Sequence, residues 1–146
     1  MKPVRRSYLI VVAVALMAGA VLAWTNATGQ SSAGPTPVKF STVSDEMLVG
    51  TGLNFSTPES GKPSAAAADA ATSAASKAYG GRAVLESRYA HCVDTQSVPV
   101  LSQDCWAVSL DPSGLSSNGP EDVKAKYFLV LIDPETGKVI EGADGG

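Results

Sequence analysis

One histidine, His91, and two cysteines, Cys92 and Cys105, stand in 146 residues. That scarcity removes most familiar catalytic designs before any fold is considered. A Ser-His or Cys-His nucleophilic site would have to be built on His91. The chain has no Gly-x-Ser-x-Gly elbow, no phosphate-cradling glycine loop ending in Lys-Ser/Thr, and no His-Glu-x-x-His helix. Gly50-Thr51-Gly52-Leu53 supplies two glycines of a dinucleotide fingerprint and lacks the third, so it reads as a turn. The acidic neighbours Asp45-Glu46, Glu121-Asp122 and Asp133/Glu135 fall in expected loops or helix starts, where solvated carboxylates are ordinary. No cofactor and no catalysis are expected from this inventory.

What is present begins with Lys2, Arg5 and Arg6, followed by a run from Tyr8 to Trp24 without a charged side chain. A cationic start ahead of an apolar run is a membrane-targeting pattern. The run is longer than most signal-peptide cores and shorter than a full span of about 20 residues. Two readings follow: a retained anchor with Trp24 at the interface, or a leader cleaved after Ala23, with Val21 and Ala23 as the small residues of the site. Either way the basic amino end stays in the cytoplasm and the remainder is exported, as a single-pass membrane protein with its C-terminal part outside or as a secreted one. Residues 25–37, TNATGQSSAGPTP, are polar and rich in Gly, Ser, Pro and Thr, the composition of a flexible linker. Of eleven basic groups three precede residue 25, whereas all fourteen acidic groups follow it, so the exported part carries eight against fourteen, or −6. That balance excludes nucleic acid and anionic lipid as favoured partners.

Residues 38–146 are expected to form one extracytoplasmic α+β domain. The stretch PSAAAADAATSAASKAYGG has Pro63 at its start, a run of strong helix formers and Gly80-Gly81 as a stop. Its expected apolar face is Ala65, Ala68, Thr72, Ala75 and Tyr79. Side chains this small gain little each from burial, so the helix must lie close against a sheet. The sheet is expected to be an antiparallel meander of three or four strands: Arg82 to Val93, Cys105 to Asp111, Tyr127 to Asp133, and a short Lys138 to Glu141 after a turn at Asp133–Gly137.

Strand parity places Trp106, Val108 and Leu110 on one face and Cys105 on the other, while Cys92 lies opposite Leu85 and Tyr89. Both cysteines therefore leave the helix-facing core and share a face of neighbouring strands. In an exported chain that arrangement predicts a Cys92–Cys105 disulfide. A metal site enlisting His91, Asp94 and Asp104 beside the cysteines is the alternative, without the paired Cys-x-x-Cys spacing of strong zinc signals. Between the cysteines, VDTQSVPVLSQD sets Gln96, Val98, Pro99, Val100 and Leu101 at a turn with a fixed base, a candidate binding loop; folding of its apolar side chains over the sheet edge is the competing expectation. The polar loop Pro112–Lys124 reads as mobile or functional.

A helix followed by a meander ending in YFLVLIDPETGKVI resembles the PepSY-like domains of exported and membrane-anchored bacterial proteins; the matching positions are Val130, Ile132, Asp133, Thr136, Gly137 and Val139. The resemblance implies a non-catalytic binding or regulatory domain, in some relatives associated with restraint of peptidases. The element order is also similar to cystatins, with Gln96 and Val98 at two positions of the Gln-x-Val-x-Gly loop and Val100 in place of its glycine; that likeness implies protease inhibition through Gln96–Val100. The sequence thus points to a tethered or secreted binding domain with a protein or peptide partner. An enzyme of unrecognised type centred on His91 and a nearby carboxylate is the competing reading.

Overall fold

A computed structural model describes residues 34–116 and 123–145. The expected leader Tyr8–Trp24, its cleavage site, most of the linker and the centre of the Pro112–Lys124 loop lie outside the described residues. Among the described residues no helix is long and apolar enough to cross a membrane.

The architecture is α+β, with one five-stranded antiparallel sheet rather than three or four strands. In chain order the elements are α1 (Asp45–Leu48), β1 (Leu53–Ser56), α2 (Ala65–Ala78), β2 (Val84–Asp94), β3 (Leu101–Leu110), β4 (Tyr127–Ile132) and β5 (Val139–Gly145), and the strands lie side by side in that order. The additional strand, β1, pairs with the far end of β2, Leu53 opposite Asp94 and Ser56 opposite His91. The linker does not stay free to residue 37: Pro37 bridges Ser56, and the Thr57 amide donates to the Thr36 carbonyl at 2.8 Å.

Local chemistry sets α2. The Ser64 hydroxyl accepts from the Ala67 amide at 3.3 Å and caps the first turn. At the other end Gly80 and Gly81 take positive φ, and the Gly81 amide reaches back to the Ser76 carbonyl at 2.8 Å. Ala71 and Ala75 are fully buried, with Ala68, Ala74 and Tyr79 half-buried against β3 and β4. Ala65, expected on the packed face, is exposed. The stripe is rotated by about one position because close approach selects Ala71, which the wider expected face had skipped. Tyr79 meets Phe128 edge to face at 4.7 Å and lies over Gly142, where any side-chain carbon would collide with its hydroxyl.

A larger correction concerns the cysteine face, which is a second core and not an outward surface. Cys92 and Cys105 are wholly buried with Ala90, Ala107, Leu129 and Leu131, and residues 38–48 close over them, inserting Phe40 and Val43. Phe40 packs edge to face on Phe55 at 5.0 Å. On the helix side Trp106, Val108, Leu110, Phe128, Val130 and Ile132 form the other layer. Because both faces are covered, all six residues of β4 are buried, which explains a run of apolar residues without alternation. The hairpin between β4 and β5 is as expected. Asp133 Oδ1 accepts from the amides of Glu135 and Thr136, each at 2.8 Å, and Gly137 takes φ +65°. β5 continues beyond Glu141, pairing Gly145 with Tyr127.

Candidate functional site

The two cysteines are bonded, Cα to Cα 6.1 Å. They are not directly opposite: Ala90 pairs with Cys105 and Cys92 with Gln103, so the bridge runs diagonally across two rungs of the β2–β3 ladder. The alternative metal set is divided. His91 and Asp104 lie on the helix side of the sheet, Asp94 on the cysteine side, and the sulfurs are committed to each other. Among the described residues no group of three or more His, Cys, Asp or Glu side chains could hold a metal ion.

β2 runs to Asp94 and β3 begins at Leu101, so the loop at this end of the hairpin spans only residues 95–100. Leu101 is half-buried against the cysteine-side core, as the fold-back expectation had it for the whole apolar set. Val98 is 98% exposed and Val100 59%, with Pro99 exposed between them. The stem is fastened at several points. Asp94, 4% exposed, accepts from the Gln96 amide at 2.7 Å and the Ser97 hydroxyl at 2.8 Å; Gln96 Nε2 donates to the Gly50 carbonyl at 2.7 Å. The turn holding Gly50 and Gly52 approaches so closely that a Cβ on Gly52 would press into Gln96 and Thr95, and its φ of +83° favours glycine as well. Beside the loop, Val38, Leu48, Val49, Leu53 and Phe55 line an open groove of about 620 Å³ that Gln96 also borders, and Val49 at its rim is 81% exposed.

Below the loop Ser97 joins two acids. Its hydroxyl lies 2.8 Å from Asp94 Oδ2 and 3.1 Å from Glu141 Oε2. The hydroxyl is the donor toward both carboxyls, so its single proton is divided between them. Burial pushes both acids up. At Asp94 the Gln96 amide and Ser97 hydroxyl outweigh it and bring the pKa below the ordinary value, whereas at Glu141 burial and the Asp94 charge prevail over Ser97 and raise it. The stability consequences have opposite signs. Asp94 contributes above its unfolded pKa and loses that contribution as pH falls; Glu141 contributes below its unfolded pKa and loses it as pH rises through the folded value. Glu141→Gln is therefore expected to melt above the native chain at neutral pH and to converge with it in acid. Melting curves that keep the same separation at both pH values would contradict the raised Glu141 pKa.

On the helix side, beyond the end of α2, Asp104 accepts from four donors. These are the Glu59 amide at 3.0 Å, the Ser60 amide at 2.6 Å, the Ser60 hydroxyl at 2.5 Å and His91 Nδ1 at 3.0 Å. Burial pushes the Asp104 carboxyl up, but these hydrogen bonds outweigh it and hold the pKa at about 2. His91 Nε2 faces the Ser102 hydroxyl at 3.1 Å and Glu59 Oε1 at 3.9 Å. The sequence had singled out His91 and Asp104 but not Ser102, Ser60 or Tyr89, whose hydroxyl is 2.9 Å from that of Ser60. The signal for Ser102 and Tyr89 is parity: the β2–β3 register sets Asp104 opposite His91, Ser102 stands two residues before Asp104 on β3 and Tyr89 two before His91 on β2, so all four share one face of the sheet. No family model matches the chain, and neither a curated protein nor a solved structure matches it.

Proposed function

We propose that this is an exported binding domain whose contact surface is the β2–β3 loop tip, Val98-Pro99-Val100, together with the groove beside it, and that its partner is a protein or peptide. The observation that carries the reading is the near-complete exposure of Val98 and the large exposure of Val100 on a loop whose stem is fixed by Asp94, Gln96 and the disulfide. An apolar side chain held in water by a rigid stem loses little further entropy when it docks, which is how a small contact gains affinity. The groove lies within the range of ligand sites, and Gln96 links it to the loop. A partner chain with one apolar side chain for the groove and another for the tip suits this surface. The leader and the acidic balance of the remainder support a location outside the cytoplasmic membrane, anchored or released, and sequencing the mature amino terminus separates the two. The PepSY-like element order agrees with a binding or regulatory role.

The test uses photo-crosslinking residues placed singly at Val98 and at Lys77, which is exposed on α2 away from the loop. A discrete crosslinked species from Val98 in intact cells, absent from Lys77 and reduced at least tenfold by Val100→Asp, is the expected result. Both valines are exposed, so such substitutions should change stability by no more than about 0.5 kcal/mol. Equal crosslinking from the two positions would overturn the assignment.

A further inference from the structure

Beyond binding, we propose that Ser102, His91 and Asp104 form a nucleophile, base and orienting carboxylate that accept an acyl group from an uncharged ester. This departs from the expectation of no catalysis, and it does not depend on the loop-tip reading.

Directed hydrogen bonds carry the proposal. Asp104, held ionised by Glu59, Ser60 and His91, can only accept, so the bond to His91 places the imidazole proton on Nδ1. Nε2 then presents its lone pair, and the group within reach of it is the Ser102 hydroxyl at 3.1 Å. Both contacts fall within the distances expected of a nucleophile–base–orienter relay, about 2.6–3.2 Å. The histidine and aspartate side chains are 13% and 11% exposed, so the ring is shielded and fixed, whereas Ser102 is exposed and open to a carbonyl group from solvent. The Glu59 carboxylate, 3.9 Å from Nε2, stabilises the imidazolium that forms as the hydroxyl proton moves. The same charge repels anions, which is why the substrate class is an uncharged ester.

The step balances without a further reagent. The Ser102 O–H bond breaks and its proton passes to Nε2 as Oγ bonds the ester carbonyl carbon; the carbon–alkoxide bond then breaks and the leaving oxygen takes that proton. Water repeats the sequence on acyl-Ser102, so the sum is ester plus water to acid plus alcohol. Ser102 and His91 touch the reacting atoms; Asp104 acts through His91 by fixing its tautomer.

Covalent capture needs the nucleophile and base alone, whereas turnover leans also on an oxyanion site. The experiment therefore incubates the full chain with a biotinylated fluorophosphonate and locates the adduct by peptide mass. Labelling at Ser102 is expected, with none in Ser102→Ala. His91→Ala should slow labelling about 100-fold or more, with partial recovery on adding free imidazole, which a structural defect would not show. Asp104→Asn should slow labelling per folded molecule at every pH where the imidazole is neutral, because the ring is then free to take the wrong tautomer. Ser102 is exposed, so Ser102→Ala remains decisive should a His91 or Asp104 variant fail to fold. No adduct on the folded native chain, or an adduct that persists in Ser102→Ala, would overturn the proposal.

Discussion

Replacing both Cys92 and Cys105 by alanine is expected to lower the melting temperature by about 20 °C or more. The bridge joins residues 13 apart in sequence, and closing a loop of that size restricts the unfolded chain by about 3 kcal/mol in the chain-entropy account. Both half-cystines are also wholly buried between β2, β3 and the arm formed by residues 38–48, so the alanines leave small voids where sulfur had packed. Each lost methyl-sized contact costs about 1 kcal/mol more. For a domain near 100 residues, 1 kcal/mol corresponds to roughly 4–8 °C. Calorimetry on the double variant measures this directly. The variant is preferable to reductant because the bond lies in the core, where a thiol reaches it only after the domain opens. A decrease of less than about 3 °C would mean that neither the loop constraint nor the buried sulfur matters to the fold.

The second large effect is expected at Glu86, a residue with no sign of importance in the linear sequence. Its Oε2 accepts from the Ser41 amide and hydroxyl, each at 2.8 Å, and from the Thr42 amide at 3.1 Å, while Oε1 takes both Nε and a terminal nitrogen of Arg88. This single carboxylate fastens the arm that carries Phe40 and Val43 over the cysteine face. Burial would raise its pKa, yet the hydrogen bonds from Ser41, Arg88 and Thr42 hold it at about 2. The folded value lies below the unfolded one. The stabilisation is therefore complete above the unfolded pKa and is lost as pH falls from there toward 2. With a side chain only 9% exposed, it amounts to about 3 kcal/mol at neutral pH. Glu86→Ala is expected to lose about that much and to expose the arm to protease, since two amides and two apolar anchors are released together. Glu86→Gln should flatten the acid limb of a plot of urea midpoint against pH. An unchanged acid limb in that variant would show that other carboxylates carry the acid sensitivity.

These two sites differ in how visible they were beforehand. Parity along β2 and β3 was sufficient to put the cysteines on one face, because the side-chain period of a strand is fixed by the backbone. The same reasoning left that face outside the core, because nothing within β2 or β3 reveals what covers them. The cover is residues 38–48, a segment without clear periodicity, whose position depends on hydrogen bonds to a carboxylate more than forty residues away. The run YFLVLI in β4 did contain the hint, since a strand with no polar alternation is buried on both sides.

The His91 neighbourhood follows the same pattern. One histidine in the chain made it the obvious residue to examine, and Asp104 was close enough in sequence to be named with it. Ser102 becomes its partner only through the register that sets Asp104 against His91, a fact belonging to the pair of strands and to neither alone. Asp94 had been grouped with His91 by proximity along the chain; the alternation of a strand sends the two to opposite sides of the sheet. Glu141 joined Asp94 and Ser97 because β5 runs past Glu141 to Gly145, farther than its few apolar residues had indicated.

By itself the sequence determined the features whose causes are local: the capped alanine helix with its glycine stop, the Asp133–Gly137 turn, the β-branched and aromatic strands, and the shared face of the two cysteines. Caps, turns and strand alternation are governed by residues within a few positions of one another, so they can be read without knowing the neighbours. Tertiary structure alone decided that β1 closes the far end of β2, that the cysteine face is a core, and which oxygen stands opposite which nitrogen around His91, Asp94 and Glu86. Those outcomes depend on register and on contacts between distant segments, where a displacement of one residue exchanges the two faces of a strand.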